Sequence, residues 1–299
     1  MAKIVECVPN ISEGRDSKVV EACLEPIRKT AGVKLLDYSS DVDHNRSVIT
    51  FAGSPDGCVE AAFGLAQQAR ELIDLNQHQG GHPRMGAVDV IPFVPVAGVT
   101  MDDCVELAKK LGGRMWNELR IPVYLYEFAA SRPERKNLAN VRKGEFEGLA
   151  EKMQDPAWAP DFGDPAPHPT AGATAVGARI FLVAYNINLH TSDLKLGKKI
   201  VSCIREVKGG LVNVKAMALL LEDRQQVQIS MNLVNPFDTP MYRVFELVRL
   251  EAERFGVSIA GSEIVGLVPM EALVKNEEYF LRLEGFKSHQ VVEMGLFGE

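Results

Sequence analysis

The stretch Ser47-Val-Ile-Thr-Phe-Ala-Gly-Ser-Pro-Asp56 decides the fold. Ser47–Phe51 is rich in β-branched and aromatic residues and reads as a strand. Past Gly53, Ser54 suits a helix N-cap, with Pro55 at the first helical position, where a missing N–H costs nothing. A strand thus feeds directly into a helix, which runs to about Leu75. Upstream, Lys3–Val8 and Val33–Tyr38 read as strands. Asn10–Gly14 and Asp41–Asn45 read as turns. Lys18–Lys29 has helical spacing, with Val19, Val20, Cys23, Leu24 and Ile27 on one face. Downstream, Val88–Val94 is a strand, and Thr100 caps a helix over Met101–Leu119 with Asp102 and Asp103 in its favoured first turn. Pro122–Tyr126 is a further strand. The order is βαββαβ, followed by αβ.

The second half repeats the order. Arg179–Leu189 reads as a strand and Thr191–Lys208 as a helix. Val212–Leu221 and Val227–Val234 form a strand pair, Thr239–Phe255 a helix and Val257–Val265 a strand, and Pro269 begins a short last helix. This pattern predicts an α/β (α+β) fold of two ferredoxin-like βαββαβ subdomains, each a sheet with helices on one face. The expected division is 1–177 and 178–299. A single alternating α/β domain is the plainer alternative, because no residue-level repeat accompanies the matching order.

Composition agrees with a folded enzyme-sized chain. The 299 residues fit two domains, and 46% hydrophobic with 24% charged residues excludes whole-chain disorder, collagen and coiled coil. A net charge of −7 argues against a broad basic face for nucleic acid. The longest apolar uncharged stretch, Val90–Met101, is too short to span a membrane. The N-terminus has no signal-peptide core. Cys7, Cys23, Cys58, Cys104 and Cys203 are scattered, with no Cys-x-x-Cys, so neither a disulfide framework nor a zinc ribbon is expected. A cytoplasmic protein with free thiols and no metal is the expectation.

Chemistry concentrates in Gly80-Gly-His-Pro-Arg-Met-Gly86. Its glycines permit close backbone approach to a ligand. His82 can carry a proton near neutral pH, and Arg84 offers a fork for carboxylate or phosphate. The same residues also suit an ordinary surface loop. His78-x-x-x-His82 has metal-ligand spacing, but Gly80 and Gly81 break the helix that it would need. Asp41-Val-Asp-His-Asn-Arg46 is either an ion site or, more simply, a solvated hairpin turn. Asp155–Gly177 holds five of the sixteen prolines. It reads equally as a semi-rigid linker or as a ligand loop, since Trp158 and Phe162 do not suit a solvated spacer.

Several long motifs in register are similar to the glutamate formiminotransferase family. They are Val5–Gly14, Asn45-Arg46, His82–Pro95, Gly98–Asp103, Pro122–Tyr126, Trp158–Gly163, Gly172-Ala-Thr, Asn186–Leu189 and Val265–Pro269. The resemblance implies transfer of a formimino group from N-formimino-L-glutamate to tetrahydrofolate. It also implies two subdomains with their sheets packed together and helices outside, folate in the groove between them, a homodimer, and a separate cyclodeaminase downstream. It makes His82 the catalytic histidine. The folate stretch becomes Gly163, Asp164, Pro165, Ala166, Pro167, His168, Pro169, Thr170, Ala171 and Gly172. Loss of the glutamate amine needs a proton, which a group with pKa near 7 can shuttle. Both substrates are anionic, so Arg46 and Arg84 are the expected carboxylate forks, with Asn45 beside them. Where the family often carries an acid, this chain has Tyr38-Ser39-Ser40. An acid assisting His82 is therefore expected from Asp37, Asp41 or Asp43. Two other functions stay open: folate-dependent glutamate formyl transfer with 5-formyltetrahydrofolate, and a non-catalytic folate-binding protein.

Overall fold

Ser54 accepts a hydrogen bond from the Gly57 N–H, 3.3 Å away, and opens α2, Pro55–Leu72. Such a cap contributes about 1 kcal/mol. The computed structural model describes residues 3–273 and 281–297. The chain divides into two compact units, Met1–Arg179 and Ile180–Glu299.

The first unit starts with β1, Ile4–Cys7, and β2, Asn10–Ile11, which together run between β4, Arg46–Gly53, and β5, Val88–Ala97. Asn10, expected in a turn, thus belongs to the sheet. The edge strand β3, Val33–Asp41, pairs antiparallel with β4. With α1, Ser17–Lys29, and α2, these strands form the expected βαββαβ layer. Val20, Cys23, Leu24 and Ile27 of α1 are buried, as their spacing predicts. The helix α3, Met101–Arg114, is closed by a capping box between Thr100 and Asp103. Its last expected turn, Met115–Leu119, winds as a π-helix.

The sheet then continues in parallel. β6, Val123–Glu127, and β7, Thr174–Ala178, extend it in the order β5-β7-β6. β7 corrects the linker reading of Asp155–Gly177. Its small residues have weak strand preference, but all five are buried in the sheet. A Cβ at Gly177 would lie 2.5 Å from the Tyr126 carbonyl oxygen and ring. Close packing of the backbone, not intrinsic propensity, makes this strand. The first compact unit runs to Arg179. The next strand, β8, begins only at Val183, not at Arg179.

Residues between β6 and β7 include α4, Leu138–Arg142, and α5, Leu149–Lys152. Val141, Leu149 and Met153 pack with Val90, Tyr124, Tyr126 and Ala175 in a core cluster separate from the main helix-side core. This insertion brings α4 to the start of β5.

The second unit is a four-stranded antiparallel sheet in the order β11-β8-β10-β9, with β8 Val183–Leu189, β9 Val214–Leu221, β10 Gln226–Leu233 and β11 Ile259–Val265. Helices α6, Leu194–Ile204, and α7, Met241–Glu253, share a core with Tyr185, Ile187, Val227 and Ile229. The alternate residues are polar: Gln228 donates to Asn188 and Glu263, and Asn186 donates to Glu263.

Candidate active site around His82

The loop 78–86 connects α2 to β5 and is tied to the β3–β4 turn. The Gly81 N–H donates to the Asp43 carbonyl at 3.0 Å, and His78 Nε2 lies 2.8 Å from the Asn45 carbonyl oxygen. Asn45 takes the left-handed conformation, φ 48°. Its side chain accepts from the Gly14 N–H and donates to the Gln79 carbonyl. Both ends of that amide are therefore used in holding the two turns together. A Cβ at Gly80 would come within 2.3 Å of the His44 carbonyl oxygen, so only glycine fits there. The stretch Asp41–Arg46 is a hairpin turn, in which Asp41 pairs with His44 at 3.1 Å.

His82 is mostly enclosed, with 12% of its side chain exposed, and Nε2 lies 3.7 Å from Asp89 Oδ2. That separation is too long for a hydrogen bond and becomes an ion pair only when the ring is protonated. Asp89 stands at the start of β5 and is fully enclosed. Its Oδ1 accepts from the Met85 N–H at 2.9 Å, while Arg142 of α4 meets its Oδ2 through Nε at 2.7 Å and Nη2 at 2.5 Å. The acid beside His82 is therefore Asp89, not Asp37, Asp41 or Asp43. Arg46 donates to Asn10 Oδ1 at 3.2 Å, but its buried Nε meets no acceptor among the described residues.

These charges set the protonation states. Burial lowers the His82 pKa below the usual imidazole value. The neighbouring Asp89 opposes this, and the charges of Arg46 and Arg142 reinforce it. Burial alone would raise the Asp89 pKa. The Arg142 charge, His82 and the Met85 N–H outweigh it and hold the carboxyl below its usual range. At neutral pH the pair is a neutral imidazole beside a carboxylate, which is a proton acceptor with a ready counter-charge.

Arg84 sits differently from its expected role. Its Nη1 and Nη2 grip Glu147 in a two-point contact at 2.8 and 2.7 Å, Glu145 lies 3.3 Å from Nη1, and Nε donates to His78 Nδ1. The fork thus faces protein carboxylates. These residues, with Gln79, Gly80 and Gly144, line a cleft of about 460 Å³. With both His78 nitrogens engaged, the His78/His82 pair is not a metal pair, and no group of three metal-type side chains occurs among the described residues. Burial pushes the thiols of Cys23, Cys58 and Cys104 up to about 12, which removes them as nucleophiles at neutral pH.

The segment Gly163–Gly172 lies within the first unit. Gln154 donates to the Pro165 carbonyl, Asn76 to the Pro169 carbonyl, and the Leu75 N–H to the Thr170 carbonyl. His168 Nδ1 accepts from the Ala171 N–H at 3.1 Å and closes a turn. The far end meets the histidine loop: the Ala87 N–H donates to the Ala171 carbonyl, and the Ala173 N–H to the Met85 carbonyl. The structure thus joins the end of this segment to Met85–Ala87 by backbone.

Sequence reasoning missed Asp89 and Arg142. An acid inside the apolar run Ala87-Val-Asp-Val-Ile91 is a signal that could have marked Asp89. Nothing local marks Arg142, whose role depends on α4 folding back over the sheet.

A titratable ring, an ionised partner and two arginines can in principle carry acid–base chemistry on an anionic small molecule. Comparison with known proteins agrees in class. The N-terminal subdomain of the formiminotransferase domain matches residues 4–179, and the formiminotransferase domain matches residues 184–294. The chain belongs to the formiminotransferase domain family. It is 50% identical over 299 residues to a glutamate formimidoyltransferase of Streptococcus pyogenes serotype M1, covering 100% of both chains. It is 51% identical over 292 residues to one of Thermoplasma acidophilum, covering 97% of this chain and 96% of that one. It is 44% identical to the formimidoyltransferase-cyclodeaminase of Gallus gallus, covering 95% of this chain and 53% of that protein.

Proposed function

We propose that this chain is a glutamate formimidoyltransferase, moving the formimino group of N-formimino-L-glutamate to N5 of tetrahydrofolate in histidine degradation. Half-identity across the full length of two relatives bearing that name carries the reading. The neutral His82 beside ionised Asp89 supports it. His82 takes a proton from the attacking nitrogen and returns it to the departing glutamate nitrogen. Arg46, half-buried and with an unmet Nε–H, binds a substrate carboxylate. Arg84 would do so only by releasing Glu147, and Asn45 acts by fixing the loop. Gly163–Gly172 forms a folate wall, to which its positive-φ glycines at 120° and 66° and its pinned backbone are suited. Tetrahydrofolate supplies the accepting nitrogen and is a co-substrate. No metal takes part. The protein works as a cytoplasmic homodimer, and a cyclodeaminase activity consumes the product.

The test is turnover by the purified chain with tetrahydrofolate and either N-formimino-L-glutamate or N-formyl-L-glutamate. Faster turnover of the formimino donor is expected, with a loss of about 10²–10⁴ in kcat for His82→Ala. Preference for the formyl donor would mark a formyltransferase. Tight folate binding without turnover of either donor would mark a binding protein.

A further inference from the structure

Either ring nitrogen of His82 is chemically able to exchange a proton. Nε2 is buried, without a hydrogen-bond partner, and lies toward Asp89 Oδ2 at 3.7 Å. Asp89 cannot readily move away, because its two oxygens are held by the Met85 N–H and by Arg142 Nε and Nη2. The groups acting electrostatically on the ring are Asp89, Arg46 and Arg142. Only one of them is an acceptor, and it lies on the Nε2 side. A neutral imidazole carries one hydrogen, and a buried N–H is stabilised where it faces a carboxylate.

We propose that Asp89, locked by Arg142, is a positioning residue that keeps the His82 hydrogen on Nε2, so that Nδ1 is the nitrogen exchanging protons with substrate. The inference rests on the transferase reading above. In each cycle Nδ1 takes the proton of the attacking nitrogen as the new N–C bond forms. The ring, now carrying hydrogen on both nitrogens, is stabilised as its Nε2–H closes on the Asp89 carboxylate. Nδ1 then gives its proton to the glutamate nitrogen as the old C–N bond breaks, and the ring returns to its starting form. Arg142 keeps Asp89 ionised throughout and restricts it to its role as counter-charge. The electrostatics agree: Asp89 favours the charged ring, while burial, Arg46 and Arg142 keep the resting ring neutral.

Two measurements test this. In the intact protein, long-range ¹H–¹⁵N correlation of the histidine rings, with His82 assigned by its loss in His82→Gln, should show His82 protonated on Nε2 and bare on Nδ1 above its pKa. The opposite tautomer would overturn the proposal whether or not the protein turns over either donor. In kinetics, Asp89→Asn should lower kcat by about tenfold or more, with donor KM within about twofold. Its acid limb of kcat/KM should move to lower pH, because the charge favouring the imidazolium is gone. Unchanged kcat and pH profile in a folded Asp89→Asn protein would also overturn the proposal. A wild-type protein inactive on both donors would remove the transferase reading, and the ring tautomer would still decide the role of Asp89.

Discussion

Arg135 Nη1 donates to Asp161 Oδ2 at 2.7 Å, and the arginine is 1% exposed. The same Asp161 oxygen accepts from the Leu125 N–H of β6, and its Oδ1 accepts from Ser131. Arg135 Nη2 also donates to the Ala157 and Ala159 carbonyls. One buried ion pair therefore fastens the stretch from Trp158 to Gly163, and the insertion above it, onto the sheet. Removing one partner of such a pair leaves a buried charge uncompensated. Asp161→Ala is expected to destabilise the protein by about 3–5 kcal/mol, read from urea unfolding midpoints and slopes. A loss within about 0.5 kcal/mol would mean that water reaches Arg135 freely.

Gly172 has φ 66°, and a Cβ there would stand 2.1 Å from the Met85 carbonyl oxygen. Gly256 has a similar φ of 70° but nothing within 4 Å. Both Gly→Ala changes carry the left-handed backbone cost of about 1–2 kcal/mol, and only Gly172→Ala adds a backbone clash. Gly172→Ala should therefore lower Tm clearly more than Gly256→Ala. Equal shifts would deny the close approach between Gly172 and the Met85 backbone.

The pH dependence of kcat/KM should report His82. Its pKa is lowered, so the acid limb should fall below the ordinary value of about 6.5. Arg46 is one of the charges lowering it. Arg46→Gln should move the limb to higher pH and raise KM for the glutamyl donor. A limb that moves down, or not at all, would remove Arg46 from the surroundings of the ring. Stability follows the same sign. The unfolded histidine binds its proton more readily than the folded one, so this contribution is present above about pH 6.5 and is lost as pH falls through the lower folded value.

Pro165-Ala-Pro-His-Pro169 is pinned at the Pro165 and Pro169 carbonyls. Replacing it with a Gly/Ser run of equal length removes the proline restriction on the free chain and the His168 turn. Folate affinity measured by calorimetry is expected to weaken by about 1 kcal/mol or more. Unchanged affinity would return this stretch to the status of a tether.

Local chemistry carried most of the architecture. Ser54-Pro55, the Thr100/Asp103 capping box and the apolar spacing of α1 each act within a few residues, so both βαββαβ layers were legible in the sequence. His82 stood out as a candidate because its loop is dense in glycine and polar groups. Tertiary structure alone decided three things. Thr174–Ala178 is a strand because small residues fit where β5, β6 and the Tyr126 ring leave little room, a property of the site and not of the segment. Arg84 faces Glu147 rather than solvent because the chain returns across the sheet between β6 and β7. Asp89 is ionised and beside His82 because Arg142, 53 residues on, folds down onto it. Capping and periodicity are short-range forces that a sequence displays directly. The pairing of buried charges is a long-range one, settled only when the fold excludes water from both partners.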